Sequence, residues 1–434
     1  MEKVKFWKYF FNTIKESKWL LLRYFIVGLY LIVVGIIANR LNINDLTYYN
    51  SMITLCFFGE MMAFGFSEGF GIYINQKIGD LDKAKKYAKM GLYFTFSLVF
   101  VVAIIFAIFP SFILKTILNL DFEVNLTFYY IMLVAMVIMS IFSYVNLLLK
   151  KVGEFKQQLV TTIVQAVMLV VGFVLILLID KLMLIPIGII YILVHIACIV
   201  SGDMLLRKNK EFKISLFKFE RLHLTKNELK VIIARALSEI VWEVGYMFIS
   251  LFILKVDVIA YNQYCYFENA LDIINGLFFA FVSVVSIKIC RCIGEDKKEE
   301  AKMHGKYSLI STFVIWAFYA IVTMLIFIPL RYGMNVELQE TALVSVVLYL
   351  VVALFRFVEW NLGTYILGQS EFYVKMGLIL EIIFMCYWIV LYSVANYIPA
   401  IVYLIYGFIA FENIIKIVIS LFVFKNPKWL EKSE

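Results

Sequence analysis

Lys77-Ile78-Gly79-Asp80-Leu81-Asp82-Lys83-Ala84 and Ile293-Gly294-Glu295-Asp296-Lys297-Lys298-Glu299-Glu300-Ala301 are two versions of one short polar segment. Each separates two long apolar runs, and the run after each ends in a proline, Pro110 and Pro329. Further echoes lie outward from this pair. Gly153-Glu154-Phe155 matches Ser370-Glu371-Phe372 at an offset of 217, and Tyr49-Asn50 matches Tyr261-Asn262 at 212. The shared order and near-constant offset indicate a duplicated chain.

The runs between these markers are long enough to cross a bilayer. A helix needs roughly 20 apolar residues to span about 30 Å of hydrocarbon. Twelve runs meet this length: 19–38, 51–74, 91–109, 127–149, 157–179 and 185–206, then 231–254, 262–287, 307–328, 341–367, 373–395 and 400–424. They are apolar on most faces, as helices in lipid are, and too long for barrel strands of alternating polarity. Of 434 residues, 63% are hydrophobic and 17% charged, and mean hydropathy is +0.90. A soluble chain carries about 25% charge. This composition excludes a soluble enzyme, a disordered chain and a nucleic-acid module. The fold class expected is an all-α polytopic membrane protein, with twelve helices in two six-helix bundles. Both bundles start on the same side, so a pseudo-twofold axis along the membrane normal relates them, which is a transporter plan.

Charge sets the orientation. With the N-terminus inside, 31 of the 40 Lys and Arg fall in inner segments and 5 in outer loops; Arg23, Arg235, Arg356 and Lys416 lie in or at helices. Both termini are therefore expected in the cytoplasm of a plasma-membrane protein. The domains expected are a basic head, 1–18; an N-lobe, 19–206; a cytoplasmic linker, 207–230; a C-lobe, 231–424; and a tail, 425–434. The head, MEKVKFWKYFFNTIKESK, is too long for a cleavable signal peptide and has no small-residue cleavage site. It suits a positive-inside anchor or an amphipathic helix on the inner surface. The six cysteines show no zinc-type pairing and are expected as free thiols.

The six-plus-six plan, with a Gly-acid-basic-Ala segment after the second and eighth spans, resembles the multidrug and toxic compound extrusion (MATE) family. The stretch Gly65-Phe66-Ser67-Glu68-Gly69 before the first such segment is similar to the family's small-residue-rich one. So is Leu237-Ser238-Glu239-Ile240-Val241-Trp242-Glu243-Val244-Gly245 to its seventh span, with a glutamate before an apolar run. The resemblance covers about residues 15–424 and extends to lipid-linked polysaccharide flippases of the same superfamily. Two departures stand out. The first span, Trp19 to Ala38, lacks the aspartate that many prokaryotic members carry there. Arg356 falls where some members have an aspartate in the tenth span, with Glu359 one turn later.

Ten acids lie inside or at the edge of spans: Glu60, Glu68, Asp203, Glu239, Glu243, Glu268, Asp272, Glu359, Glu381 and Glu412. A charged residue at mid-bilayer costs about 2.5–3.5 kcal/mol on insertion scales, so these acids should face a cavity, a partner or an ion. Asp203 reads as solvated. Glu412 and Lys416, four apart, read as an ion pair. Glu381 reads as a partner for Lys375, Arg235 and Lys288 as snorkelling cations, and His195 as a hydrogen-bonded packing residue. Glu239 with Glu243, and Glu268 with Asp272, share helix faces at i, i+4. Such pairs call for a cation, a basic side chain or protonation. The alternative is that they pair with Arg356 or accept hydrogen bonds from Tyr246 and Asn269. At the offset of 212, Glu60 matches Asp272.

The function expected is a secondary active transporter. It would export an amphipathic, cationic organic compound in exchange for Na⁺ or H⁺ by alternating access. Glu243 is the first choice for the coupling site, with Glu239 and Asp272 beside it. Na⁺, where it is the coupling ion, would sit at Glu243, with no other metal site. Glu60, Glu68, Glu268, Trp242, Tyr246, Arg356 and Glu359 would line the substrate cleft, the aromatics suiting flat cations. The competing reading is a flippase for a lipid-linked saccharide or other lipid intermediate, which needs basic groups such as Arg23, Arg235 and Arg356. No P-loop, HExxH or GxSxG motif occurs, so neither ATP use nor enzyme catalysis is expected. The partners expected are the bilayer and a small molecule, with the chain a monomer lacking cofactors.

Overall fold

The computed structural model describes residues 2–38, 41–118, 120, 124–179, 183–209, 212–218, 224–332 and 342–431. Among these, twelve long helices follow one another: α1 Glu2–Ala38, α2 Ile43–Gln76, α3 Leu81–Ile108, α4 Leu126–Lys151, α5 Phe155–Ile179 and α6 Leu184–Lys208, then α7 Lys226–Val256, α8 Val258–Gly294, α9 Lys298–Tyr332, α10 Ala342–Glu359, α11 Glu371–Val394 and α12 Val402–Lys425. No strand occurs among the described residues. Among the described residues, eleven helices are long and apolar enough, by length and composition, to cross a membrane. The helix α2, which carries Glu60 and Glu68, is the one outside that set. A π-helical turn, Trp360–Ile366, continues α10.

The polar segments that mark the duplication act as helix caps. The Asp80 side chain accepts from the Lys83 amide and starts α3. Its counterpart in the second copy, Asp296, instead takes φ 59° between α8 and α9, a conformation that Asp tolerates better than most residues. Asn42, Asn125 and Asp257 cap α2, α4 and α8 by the same side-chain chemistry.

Two compact units result. One is Leu22–Ala236; the other joins the residues up to Leu21 to Leu237–Glu434. The boundary therefore falls inside α7, and the head belongs with the second unit. Residues 2–18 do not form a separate surface segment: they are continuous with the first span in α1. At 1.5 Å per residue its 37 residues extend about 56 Å, well beyond the hydrocarbon thickness. The aromatic side of the head packs on α8 and α9. The ring of Phe6 lies 5.9 Å from Tyr307, Tyr9 lies 5.4 Å from His304, and Phe10 lies 5.6 Å from Phe281. Lys288 pairs with Glu16 at 2.7 Å, so this lysine is held by the head rather than snorkelling.

The segment after α6 is also anchored. Phe212, Ile214 and Leu216 alternate inward and are buried. The Ile214 amide donates to the Leu206 carbonyl, and the Leu216 amide to Asp203 Oδ1 at 3.0 Å. Asp203 also binds Arg207 at 2.7 Å. It is a buried clasp for this segment, not a solvated acid. His195 is the packing residue expected, with Nδ1 2.6 Å from the Tyr191 carbonyl and Nε2 3.0 Å from Gln165 Nε2. The five cysteines described are free.

The small residues of α2 serve close helix approach. A Cβ on Gly65 would lie 2.8 Å from the Ala236 carbonyl oxygen and 2.9 Å from Ala236 Cα; Gly69 meets Ile232 in the same way. Small residues let backbones meet in this manner in membrane helices. Gly65→Val is expected to force α2 from the start of α7 and to cost about 1–3 kcal/mol. A lowered melting temperature of the purified protein in detergent checks it; an unchanged value would contradict the contact.

Candidate functional site

In the second unit, four helices turn side chains toward one partly open space of about 430 Å³. From α7 come Val241, Trp242, Gly245, Tyr246 and Ile249, at the i, i+4 spacing of one face. Arg356, Glu359 and Trp360 come from α10 and its π turn, Glu381, Phe384, Met385 and Trp388 from α11, and Glu412, Asn413 and Lys416 from α12.

Lys416 is the hub. Its Nζ lies 2.8 Å from Glu381 Oε2 and 2.7 Å from Glu412 Oε1. The Trp388 indole N–H donates to the other Glu412 oxygen at 2.6 Å, and the ammonium sits 5.2 Å from the Phe384 ring. The charges of Lys416, Glu381, Glu412 and Glu239 all act on Glu359, which is 6% exposed. The expected Glu412–Lys416 pair is present, and Lys416 pairs with Glu381 as well.

Arg356 forms the opposite wall. It donates to Tyr264 Oη at 2.7 Å and lies 5.7 Å from the rings of both Tyr246 and Tyr264. Tyr264 in turn donates to Tyr246 Oη at 3.3 Å. Trp242 stacks on Tyr246 at 5.6 Å and meets Trp360 edge-on at 6.1 Å. The π turn that places Trp360 is pinned by Asn361, which accepts from Ser308 at 3.0 Å and donates to Thr312 at 2.7 Å. Gly363 in the same turn leaves room for Glu359: a Cβ there would lie 3.1 Å from Glu359 Oε1. Such single π turns recur at functional sites.

The residues singled out from sequence thus divide. Trp242, Tyr246, Arg356 and Glu359 line the space, and Glu239 acts on it through Glu359. Glu243 is half-buried on α7 and is not among the lining residues. The Glu268 and Asp272 side chains lie outside the described residues. Glu60 and Glu68 belong to the other unit. Glu60 accepts from Ser143 Oγ at 3.0 Å. Glu68, 4% exposed, binds Lys151 at 2.6 Å and lies 4.0 Å from Lys150. The charge of Arg235 also acts on it. Arg235 is 6% exposed and belongs to this buried cluster, not to a snorkelling set.

The sequence reading missed Glu381, Trp388, Trp360, Phe384 and Asn413 as site residues. The spacing 381, 384, 385, 388 on one helix and 412, 413, 416 on the next was the available signal. Among the described residues, no group of three or more His, Cys, Asp or Glu has a geometry to hold a metal ion. Lys416 itself occupies the position between Glu381 and Glu412.

No family model matches the chain, and no curated protein matches it. Solved structures do. An outward-facing multidrug resistance MATE family transporter of the MOP superfamily is 14% identical, covers 97% of both chains and has a TM-score of 0.77. A MATE structure in the bent conformation is 13% identical over 95% of this chain and 94% of that one, with a TM-score of 0.78. A MOP superfamily transporter from Pyrococcus furiosus, reported with a binding pocket of reverse polarity that suggests a different function, is 13% identical over 97% of both chains, with a TM-score of 0.77. The chain is a multi-pass membrane protein with the twelve-helix fold of the MATE transporters of the MOP superfamily.

Proposed function

We propose that the protein is a secondary active transporter that exports an amphipathic organic cation in exchange for H⁺ or Na⁺ by alternating access. One observation carries this reading: the space in the second unit where Glu359, Glu381 and Glu412 gather about Lys416 beside Trp242, Tyr246 and Trp360. With Glu239 acting on Glu359, four acids face two bases. Buried charge of one sign must be neutralised. Lys416 binds Glu381 and Glu412, and Glu359, buried beside them, is the acid at which an exchanging cation would bind. A substrate cation beside the aromatic wall competes with that ion, and each shifts the conformational equilibrium by its differential affinity for the two states. The protein works as a monomer in the plasma membrane, with both termini cytoplasmic, in keeping with the loop charges.

The flippase reading has an observation of its own. In the first unit three buried cations, Lys150, Lys151 and Arg235, gather around Glu68. A lipid-linked phosphate would be drawn to it.

Transport in proteoliposomes with imposed H⁺, Na⁺ or no gradient decides between them. Efflux of an organic cation driven by either gradient is expected. Glu359→Gln, which keeps the shape and removes the charge, is expected to lower gradient-driven transport on the order of a hundredfold while folding persists. Glu243→Gln is the comparison. If it abolishes coupling and Glu359→Gln does not, the coupling site lies on α7, at the residue first favoured from sequence. Gradient-independent movement of a lipid phosphate would favour the flippase.

A further inference from the structure

The first unit holds a second built space, of about 760 Å³, lined by Asp82, Lys85, Lys86, Lys89, Lys213, Ile214, Ser215 and Lys218. Five lysines face one aspartate. Nothing in the transport reading uses them.

Two elements shape this space. The first is the opening of α3, where Lys85 and Lys89 are one turn apart and Lys89 is only 5% exposed. The second is the segment 212–218, held across α3. Its amides are tied to Leu206 and Asp203 as described, and the Phe212 amide donates to Asn209 Oδ1. Tyr93 Oη donates to the Phe217 carbonyl at 3.4 Å, fastening the segment to α3 itself. Lys213 and Lys218 are thus placed over the lysines of the helix by an anchored backbone.

The same face of α3 then changes character. Lys85, Lys89, Tyr93, Phe96 and Phe100 recur at steps of three or four and form one stripe. Phe96 and Phe100 are exposed and stack at 5.5 Å. From Lys89 to Phe96 is about 10 Å along the helix axis. Phe217, on the overlying segment, is also exposed. A basic space therefore continues into an outward-facing aromatic strip. A free phosphate would use the lysines alone. A phospholipid would use both, with its headgroup among the lysines and its chains along the rings.

We propose that this space is a binding site for the phosphate headgroup of an anionic phospholipid, in the leaflet that the loop charges place on the cytoplasmic side. Clusters of Lys beside a membrane span favour anionic lipid, at about 1 kcal/mol per Lys near the surface. The proposal concerns the lipid that holds the protein and does not depend on what is transported.

The test uses the purified full-length protein in neutral detergent, titrated with short-chain phosphatidylglycerol, short-chain phosphatidylcholine or inorganic pyrophosphate. The readout is thermal stabilisation. Phosphatidylglycerol is expected to stabilise the protein, and the other two to do so weakly or not at all. Lys86→Gln/Lys213→Gln/Lys218→Gln is expected to need at least about tenfold more phosphatidylglycerol for the same shift. The triple variant Lys297→Gln/Lys298→Gln/Lys302→Gln, which removes the same charge at the α8–α9 turn, is expected to match wild type. Helicity and the lipid-free melting temperature of each variant verify folding, and Lys213→Gln/Lys218→Gln substitutes if the first triple fails to fold. A wild-type dose response in the lysine-space variant overturns the proposal. So does equal weakening by the control triple, or stabilisation by pyrophosphate as strong as by lipid.

Discussion

Replacing Lys416 with methionine is expected to destabilise the second unit by about 3–5 kcal/mol, the range for removing one partner of a buried ion pair. The side chain is 3% exposed and bridges Glu381 and Glu412 at 2.8 and 2.7 Å. Methionine fills much of its volume and removes its charge. Two carboxylates then share a low-dielectric space with Glu359 and lose the Lys416 ammonium. The Trp388 indole still donates to Glu412, but one neutral donor does not offset a whole charge. Lys416→Met/Glu412→Gln is expected to recover part of the loss, because it removes one of the stranded charges. Thermal unfolding in detergent of the two variants and wild type checks the order. A Lys416→Met protein that melts with wild type would show that the ammonium is not what holds these acids.

That result also bears on coupling. The space holds together because Lys416 binds two of its acids, and Glu359 is buried beside them. On the proposed reading Lys416 is structural and Glu359 carries the exchanging cation, so substitutions at the two should differ in kind. Lys416→Met should lower stability first. Glu359→Gln should leave stability near wild type and act on transport.

Much of the fold was legible in the sequence. Most of the apolar runs are long and bounded by capping residues such as Asp80, Asn125 and Asp257, so most spans declare themselves locally. The head was the exception. A basic, aromatic stretch suits a surface helix and a prolonged first span equally, and only the partners on α8 and α9 separate the two. The site was legible in part. Trp242, Tyr246, Arg356 and Glu359 follow from spacing on one helix or from an alignment. Glu381 meeting Lys416, or Glu68 meeting Lys151, does not. These partners lie 35 and 83 residues apart on different helices. In lipid, which faces meet is set by close packing and interhelical hydrogen bonds, not by polarity along one helix. Arg235 shows the consequence. Near a span end it reads as a snorkelling cation, yet the glycine face of α2 brings the start of α7 close enough to bury it by Glu68.

Glu68→Leu is the expected large effect in the first unit, again about 3–5 kcal/mol. Glu68 is the acid that Lys151 binds at 2.6 Å, with Lys150 at 4.0 Å and the charge of Arg235 also acting on it. The stem of Lys151 reaches this position across Gly71, where a Cβ would lie 2.9 Å from its Cδ and Cε. The lysine is therefore fixed by packing as well as by charge and has little room to retreat to water. Removing the carboxylate leaves three cations to repel one another in a buried place. Glu68→Leu/Lys151→Met is expected to regain much of the loss, since one stranded charge goes and the apolar stem remains. The double-mutant cycle isolates the pair, with a coupling energy expected at the upper part of the roughly 0.5–3 kcal/mol found for contacting residues. A coupling near zero would mean that Lys150 and Arg235 hold Glu68 without Lys151. The same variants probe the flippase reading. If an anionic lipid substrate uses this cluster, Lys151→Met alone should weaken its transport far more than it lowers the melting temperature.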